Sequence, residues 1–150
     1  MSNKNKNQTP DISYFRLSLT AFLKDYYPEL LKNDSFIKSC ADSATEIYEQ
    51  AIKYGYNAYE ASEQANAVLF DHFHFSKYDT ILTILWNEFE NEVVAETAGT
   101  LAYKLLAKCE KVFENYKLSE LSSYDPEYDL LYTELTGTIE NQLKIMNYEL

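Results

Sequence analysis

The chain has 150 residues and a formal net charge of −11, with 46% hydrophobic and 25% charged side chains. This length suits one domain with a single core, and the composition excludes a chain that is disordered throughout. Three glycines and three prolines favour long helices over a sheet-rich fold with many tight turns. The predicted fold is all-α, a single-domain irregular bundle of five to six helices.

The negative charge is concentrated after Gly55. Residues 1–56 contain seven basic and seven acidic side chains, whereas residues 57–150 contain six basic and seventeen acidic ones. Phosphate backbones are bound through Lys and Arg, so this balance disfavours direct binding to DNA or RNA. The interpretations that stay open are an acidic surface that keeps the protein soluble, and a docking surface for a basic protein partner or a phosphate mimic that occupies a nucleic-acid-binding protein.

Nothing in the sequence indicates secretion or membrane insertion. The first ten residues are polar, and no apolar run approaches the ~20 residues that cross a bilayer. Residues 1–10 are predicted to be a disordered polar tail and residues 11–150 one helical domain. Cys40 and Cys109 have apolar neighbours and are predicted to be buried thiols, not a disulfide or zinc ligands. We expect a cytoplasmic protein.

The first two helices are predicted from their caps and apolar spacing. The first begins with Asp11 as N-cap and ends near Tyr26, because Pro28 disfavours helical geometry in the residue before it. The second begins with Asp34 as N-cap and ends at Gly55. Its predicted buried face consists of Phe36, Ile37, Cys40, Ala44, Ile47, Tyr48, Ala51 and Ile52.

Two further helices begin at box-like motifs. Asn57 and Glu60 form a capping box for an alanine-rich third helix that reaches Phe70. Ser76 and Asp79 give a similar start for the fourth helix, which we expect to be central. Its predicted buried positions are Tyr78, Ile81, Leu82, Leu85, Trp86 and Phe89.

The fifth helix is predicted to run through Ala98 to Tyr116, with Gly99 as an interior weak point. Its outer face should be solvated and salt-bridged, since lysines alternate with Glu110 and Glu114 there. The lysines on this face are Lys104, Lys108 and Lys111.

A loop over residues 118–124 leads to the sixth helix. Asp125 as N-cap and Pro126 at the first helical position mark its start, and it continues to Met146. Gly137 is expected to mark a close crossing with another helix, which also accounts for the threonines around it. These are Thr133, Thr136 and Thr138.

Three segments together resemble a known family. They are YFRLSLTAFLKDYYPEL (14–30), HFSKYDTILTILWNEF (74–89) and PEYDLLYTELTGTIE (126–140). They resemble a domain-of-unknown-function family of small bacterial proteins found among Bacteroides-like bacteria, over about residues 11–146. The resemblance implies a soluble all-helical domain and brings no activity, cofactor or catalytic residue.

The candidates for a small site are Asp71, His72, His74 and Asp79. Two imidazoles and two carboxylates within nine residues supply the ligand types of a divalent metal, if the chain folds them inward. Their spacing matches no helical metal motif, so capping of helix ends and turns is the favoured role.

Other chemistry is not indicated. The acidic residues Asp125, Glu127 and Asp129 lack the glycine and distal glutamate of a calcium loop and suit a helix N-terminus. No nucleophile elbow or glycine-rich phosphate loop is present, and no cofactor is implied. The sequence therefore favours a non-enzymatic interaction or accessory protein with an acidic surface. The alternative is a metal- or small-ligand-binding protein that uses His72 and His74, and homodimerisation also stays open.

Overall fold

The computed structural model describes residues 12–148, and every regular element in that range is helical. Two short 3-10 helices accompany the α-helices, one at Pro28–Leu30 and one at Leu118–Glu120 inside the predicted loop. The all-α prediction is confirmed, whereas the predicted tail and the Asp11 cap lie outside the described residues. The helices are α1 (Ile12–Tyr26), α2 (Asp34–Lys53), α3 (Ala58–Leu69), α4 (Lys77–Glu88), α5 (Ala95–Phe113) and α6 (Pro126–Ile145).

The chain divides into two compact units. Within the described range, the first unit comprises residues 12–25 and 29–73, and the second comprises residues 26–28 and 74–148. The polypeptide therefore enters the second unit for three residues, returns to the first, and ends in the second.

The first unit contains α2, α3 and most of α1. Alanines that are fully buried on α2 and α3, such as Ala44, Ala61 and Ala65, let these two helices pack closely. Aromatic rings hold α1 in place: the ring centroids of Phe15 and Tyr48 are 6.4 Å apart. The predicted buried face of α2 is only partly correct, because Phe36 and Ile47 are half-buried and Ile52 is exposed.

The second unit is built from α4, α5 and α6, which pack against one another around a leucine- and isoleucine-rich core. The Lys77 ammonium lies 3.0 Å from both carboxylate oxygens of Glu110 and 5.6 Å from the ring centroid of Phe113. Glu110 thus pairs across to the start of α4, whereas the sequence paired it with lysines of its own helix. Those three lysines are exposed, as predicted.

Residues 26–27 are tied to the start of α4 by two hydrogen bonds. The Tyr27 hydroxyl donates to the carbonyl oxygen of Phe75 at 2.7 Å. The Ser76 hydroxyl donates to the carbonyl oxygen of Tyr26 while it accepts from the backbone N–H of Asp79 at 2.9 Å. Ser76 is therefore the N-cap that the sequence predicts, and it has a second partner far away in the chain.

Two other predicted starts of helices need correction. The N-cap of α2 is Asn33, whose side chain accepts from the backbone N–H of Phe36, while Asp34 is already the first helical residue. Asp125 occupies the N-cap position of α6, but its carboxylate accepts from the backbone N–H of Ser122 at 2.9 Å and makes no capping hydrogen bond to the helix. The Asn57–Glu60 capping box of α3 is confirmed.

Two predictions about packing are wrong. The sequence predicts Trp86 in the core, but its side chain is 50% exposed, because it lies on the side of α4 away from the buried row of Ile81, Ile84 and Leu85. Gly137 does not mark a close helix crossing, since an added Cβ would have no atom within 4 Å. A threonine beside it, Thr136, donates instead to the Tyr132 carbonyl of its own helix.

Across residues 12–148, no helix is both long and apolar enough to cross a membrane.

Candidate functional site

The first unit carries a surface cleft between α2 and the end of α3, which we call the histidine cleft. Its volume is about 370 Å³. Cys40 forms a buried part of the wall, whereas the other polar side chains of the lining are exposed. The lining residues are Ser39, Cys40, Ser43, Ala67, Val68, Asp71 and His72.

Local structure explains how these side chains meet. Ser39 and Ser43 are four residues apart on α2, so they lie on the same face of the helix. Asp71 and His72 lie in the turn that follows α3. The His72 ring is flanked by two aromatic rings, with its centroid 6.0 Å from that of Phe36 and 6.4 Å from that of Phe73. One imidazole and one carboxylate therefore border the same cleft.

The four candidate residues of the sequence are divided between the units. Asp71 and His72 belong to the first unit, whereas His74 and Asp79 belong to the second. His74 is exposed, and Asp79 is half-buried, so that burial raises the pKa of its carboxyl group. Within residues 12–148, no group of three or more His, Cys, Asp or Glu side chains is arranged to hold a metal ion.

The two cysteines are free thiols in different surroundings. Cys109 is fully buried on α5, and this burial raises the pKa of its thiol to about 11. Cys40 is 7% exposed, and burial raises the pKa of its thiol as well. Both are buried, as predicted, but Cys40 also borders the histidine cleft.

The second unit carries a larger cleft, which we call the acidic cleft, between the end of α5 and the start of α6. Its volume is about 600 Å³. Three carboxylates and one ammonium group contribute to its lining, so its formal charge is negative. The lining residues are Asn115, Lys117, Glu120, Leu121, Asp125, Pro126 and Glu127.

Two tyrosine hydroxyls of the second unit donate to carboxylates, and one of them, that of Tyr116, stands between two lining residues of this cleft in the sequence. Tyr116 donates a hydrogen bond to Glu134 of α6, and this bond is the main reason that the Tyr116 pKa rises to about 12. Repulsion by Glu134 and Glu127 raises that pKa further. Tyr132 donates to Glu88 at 2.8 Å, so α4 and α6 are joined in the same way. Glu127 of the acidic cleft and Glu134 therefore both lie close enough to Tyr116 to act on its hydroxyl.

The sequence singles out Asp71 and His72 of the histidine cleft, but not the other polar side chains of its lining. Ser39 and Ser43 could have been recognised, because two small polar residues four apart lie beside the apolar face of α2. Lys117 and Glu120 of the acidic cleft could not have been recognised, because they follow the end of α5 and belong to no motif. Only the fold brings them next to the start of α6.

Comparison with protein families identifies the family of this chain. The domain of unknown function DUF1896 matches residues 7–150. The chain belongs to the DUF1896 family. This confirms the resemblance seen in the three sequence segments, and the family description assigns no activity.

A crystal structure is similar to this DUF1896 chain. It is that of protein PG0816 from Porphyromonas gingivalis, with a TM-score of 0.83 and 38% sequence identity. The match covers 98% of this chain and 97% of the other. A comparison with curated proteins gives no match.

Proposed function

We propose that this DUF1896 protein is a non-enzymatic interaction protein that docks a basic protein partner at the acidic cleft. The observation that carries the proposal is the convergence of Glu120, Asp125 and Glu127 around one concave surface. A concave site with low-dielectric walls focuses the field of its charges and attracts a cationic side chain. Such complementarity steers association and selects the partner.

The charge of the surrounding chain supports the same partner. Residues 74–150 contain fourteen acidic and six basic side chains, so this part of the sequence has a formal charge of −8. The cleft therefore lies in the more acidic part of the chain. A nucleic acid would be repelled from such a surface, whereas a lysine- or arginine-rich protein segment would be attracted. We place the protein in the cytoplasm, which suits two free, buried cysteines.

A labelled oligolysine peptide tests the proposal by fluorescence anisotropy. We expect saturable binding that weakens at least tenfold between about 50 mM and about 300 mM salt, because the Debye length that screens exposed charges shortens with salt and is about 10 Å at about 0.1 M. The double variant E120Q/E127Q should weaken binding at low salt. Its matched control is E46Q/E49Q, which removes the same charge from exposed positions on α2 in the first unit.

Three outcomes would count against the proposal. They are binding that salt leaves unchanged, equal loss in the two double variants, and no binding at low salt. Circular dichroism of each variant checks that the helices are intact. Light scattering at two protein concentrations tests homodimerisation, the other interaction that the sequence leaves open.

A metal site at Asp71 and His72 is the second candidate, favoured by the one observation that these two residues border the same cleft. A metal that binds only the folded state raises the melting temperature, and the stabilisation grows with the logarithm of its concentration over its Kd. Zinc, manganese and nickel at modest excess should therefore raise it in the wild type and less in His72→Gln. Unchanged melting with all three metals removes this candidate.

A further inference from the structure

The histidine cleft has a chemistry of its own, independent of the acidic cleft. Its volume of about 370 Å³ lies near the lower end of the range of about 300–1,000 Å³ that is typical of small-molecule sites. Its lining combines polar side chains on one helix and one turn with small apolar side chains between them. These groups decide which class of ligand the cleft fits.

The charge of the lining selects against anions. Asp71 supplies a negative charge, and the lining contributed by the described residues includes no lysine or arginine. Lys38 precedes the lining residue Ser39 on α2, but its ammonium is paired with Asp42 at 2.9 Å. A phosphate or carboxylate ligand would therefore meet a carboxylate without a free cation to balance it.

The hydrogen-bonding groups of the cleft suit a donor-rich cation. The carboxylate of Asp71 accepts only, and the hydroxyls of Ser39 and Ser43 accept as readily as they donate. A neutral imidazole at His72 offers one further acceptor nitrogen. A primary ammonium group has three donors and no acceptor, so it can be satisfied by a carboxylate together with one or two of these neighbours.

The remaining lining suits an alkyl chain. Ala67 and Val68 of α3 contribute methyl groups, and Cys40 contributes a small thiol from α2. Because burial raises the pKa of the Cys40 thiol, this group is uncharged near neutral pH and behaves as a small hydrophobe. Contact with this wall would remove the aliphatic carbons beside the ammonium from water, which is favourable.

We propose that the histidine cleft binds a small aliphatic amine, with its ammonium group on Asp71, Ser39 and Ser43 and its alkyl chain against Cys40 and Val68. His72 borders the bound amine, and its ring lies beside those of Phe36 and Phe73. The site needs only residues of the first unit.

Nuclear magnetic resonance of the two histidines tests this proposal on the full chain. The sequence contains only His72 and His74, so their imidazole signals can be assigned with the variants H72Q and H74Q. The probe is 1,4-diaminobutane, and the neutral control is 1,4-butanediol, which has the same carbon chain. We expect the diamine to shift the His72 signals saturably and the diol to leave them unchanged.

Matched variants separate a built site from general attraction to an acidic protein. Asp71→Asn should weaken diamine binding at least tenfold, because it removes the charge that meets the ammonium. Glu49→Gln removes the same charge from an exposed position elsewhere on α2 and should change binding less than twofold. Ser43→Ala should weaken binding by a smaller factor than Asp71→Asn.

Several results would overturn the proposal. They are no shift of His72 at about 10 mM diamine, equal shifts with the diol, parallel shifts of both histidines, and equal weakening by D71N and E49Q. A shift of the His72 signals with a lysine-containing peptide but not with the free diamine would likewise overturn it. None of these results bears on oligolysine binding at the acidic cleft.

Discussion

The open surroundings of Gly137 predict that replacing it with alanine stabilises the second unit. Gly137 lies inside α6, and a Cβ added there meets no atom within 4 Å. The methyl group therefore brings no clash, and the gain is the difference in helix propensity between alanine and glycine, about 0.8–1.0 kcal/mol. With a slope of about 1–2 kcal/mol per molar urea, the unfolding midpoint should rise by about 0.4–1 M.

Gly99 provides the comparison, because its surroundings are closed. A Cβ added there would lie 2.9 Å from the hydroxyl oxygen of Tyr78, closer than real Cβ contacts allow. Gly99→Ala should thus raise the free energy of unfolding less than Gly137→Ala does, since Tyr78 has to move. In a Tyr78→Phe background the oxygen is absent, and we expect Gly99→Ala to be more stabilising there than in the wild type.

Urea unfolding followed by tryptophan fluorescence measures all of these changes. Trp86 is the single tryptophan and lies in α4, so its emission reports on the same unit as both glycines. A double-mutant cycle between Gly99→Ala and Tyr78→Phe gives their coupling energy. The reasoning is refuted if Gly137→Ala lowers the midpoint, or if Gly99→Ala behaves identically with and without the Tyr78 hydroxyl.

Three further predictions concern a cap, the thiols and a tyrosine. Asn33→Ala should lower the free energy of unfolding by about 0.5–2 kcal/mol and Asp34→Ala by less, because Asn33 is the N-cap of α2. Circular dichroism in urea measures both, and a larger loss in Asp34→Ala would show that Asp34 is the cap. In the native protein, a thiol reagent should modify Cys40 slowly and Cys109 more slowly still, compared through the single variants C40S and C109S; faster reaction of Cys109 would contradict its burial. Because the Tyr116 pKa is raised to about 12, the folded state keeps a proton that the unfolded state loses near pH 10, so the stability from this group falls as pH rises from about 10 to 12. Carbon-13 spectra of labelled tyrosine should show Tyr116 titrating late in the wild type and earlier in Glu134→Gln; the same midpoint in both would exclude the Glu134 hydrogen bond as the cause.

Features that depend on a few neighbouring residues could be predicted from the sequence. The capping box of Asn57 and Glu60 closes over three residues, and the cap at Ser76 reaches only to Asp79. Both are decided by local hydrogen bonds, which the order of side chains specifies directly. The helix class follows from the same local signals, because each of the six α-helices has an apolar stripe at helical spacing.

Features that depend on a neighbouring helix could not be predicted. Trp86 continues the apolar pattern of α4, yet the positions of α5 and α6 leave it half exposed. A glycine between small threonines is typical of a close helix crossing, but within the described residues no helix approaches Gly137. The Asp125 carboxylate could accept either from the first turn of α6 or from the preceding turn, and it accepts from the backbone N–H of Ser122 in the preceding turn. The two clefts likewise depend on how helix ends meet.

The hydrogen bonds from Tyr27 and Ser76 limit how this protein can be dissected. A cut at residue 74 would separate most of the two units, but it would remove residues 26–27 from the piece that contains α4. The Ser76 hydroxyl would then lose its acceptor, and the Phe75 carbonyl its donor. A fragment that retains the native start of α4 has to include residues 26–28, which are joined to it only through the whole of α2 and α3. The second unit is therefore assembled from two separate stretches of the chain, and no single cut of the polypeptide yields it whole.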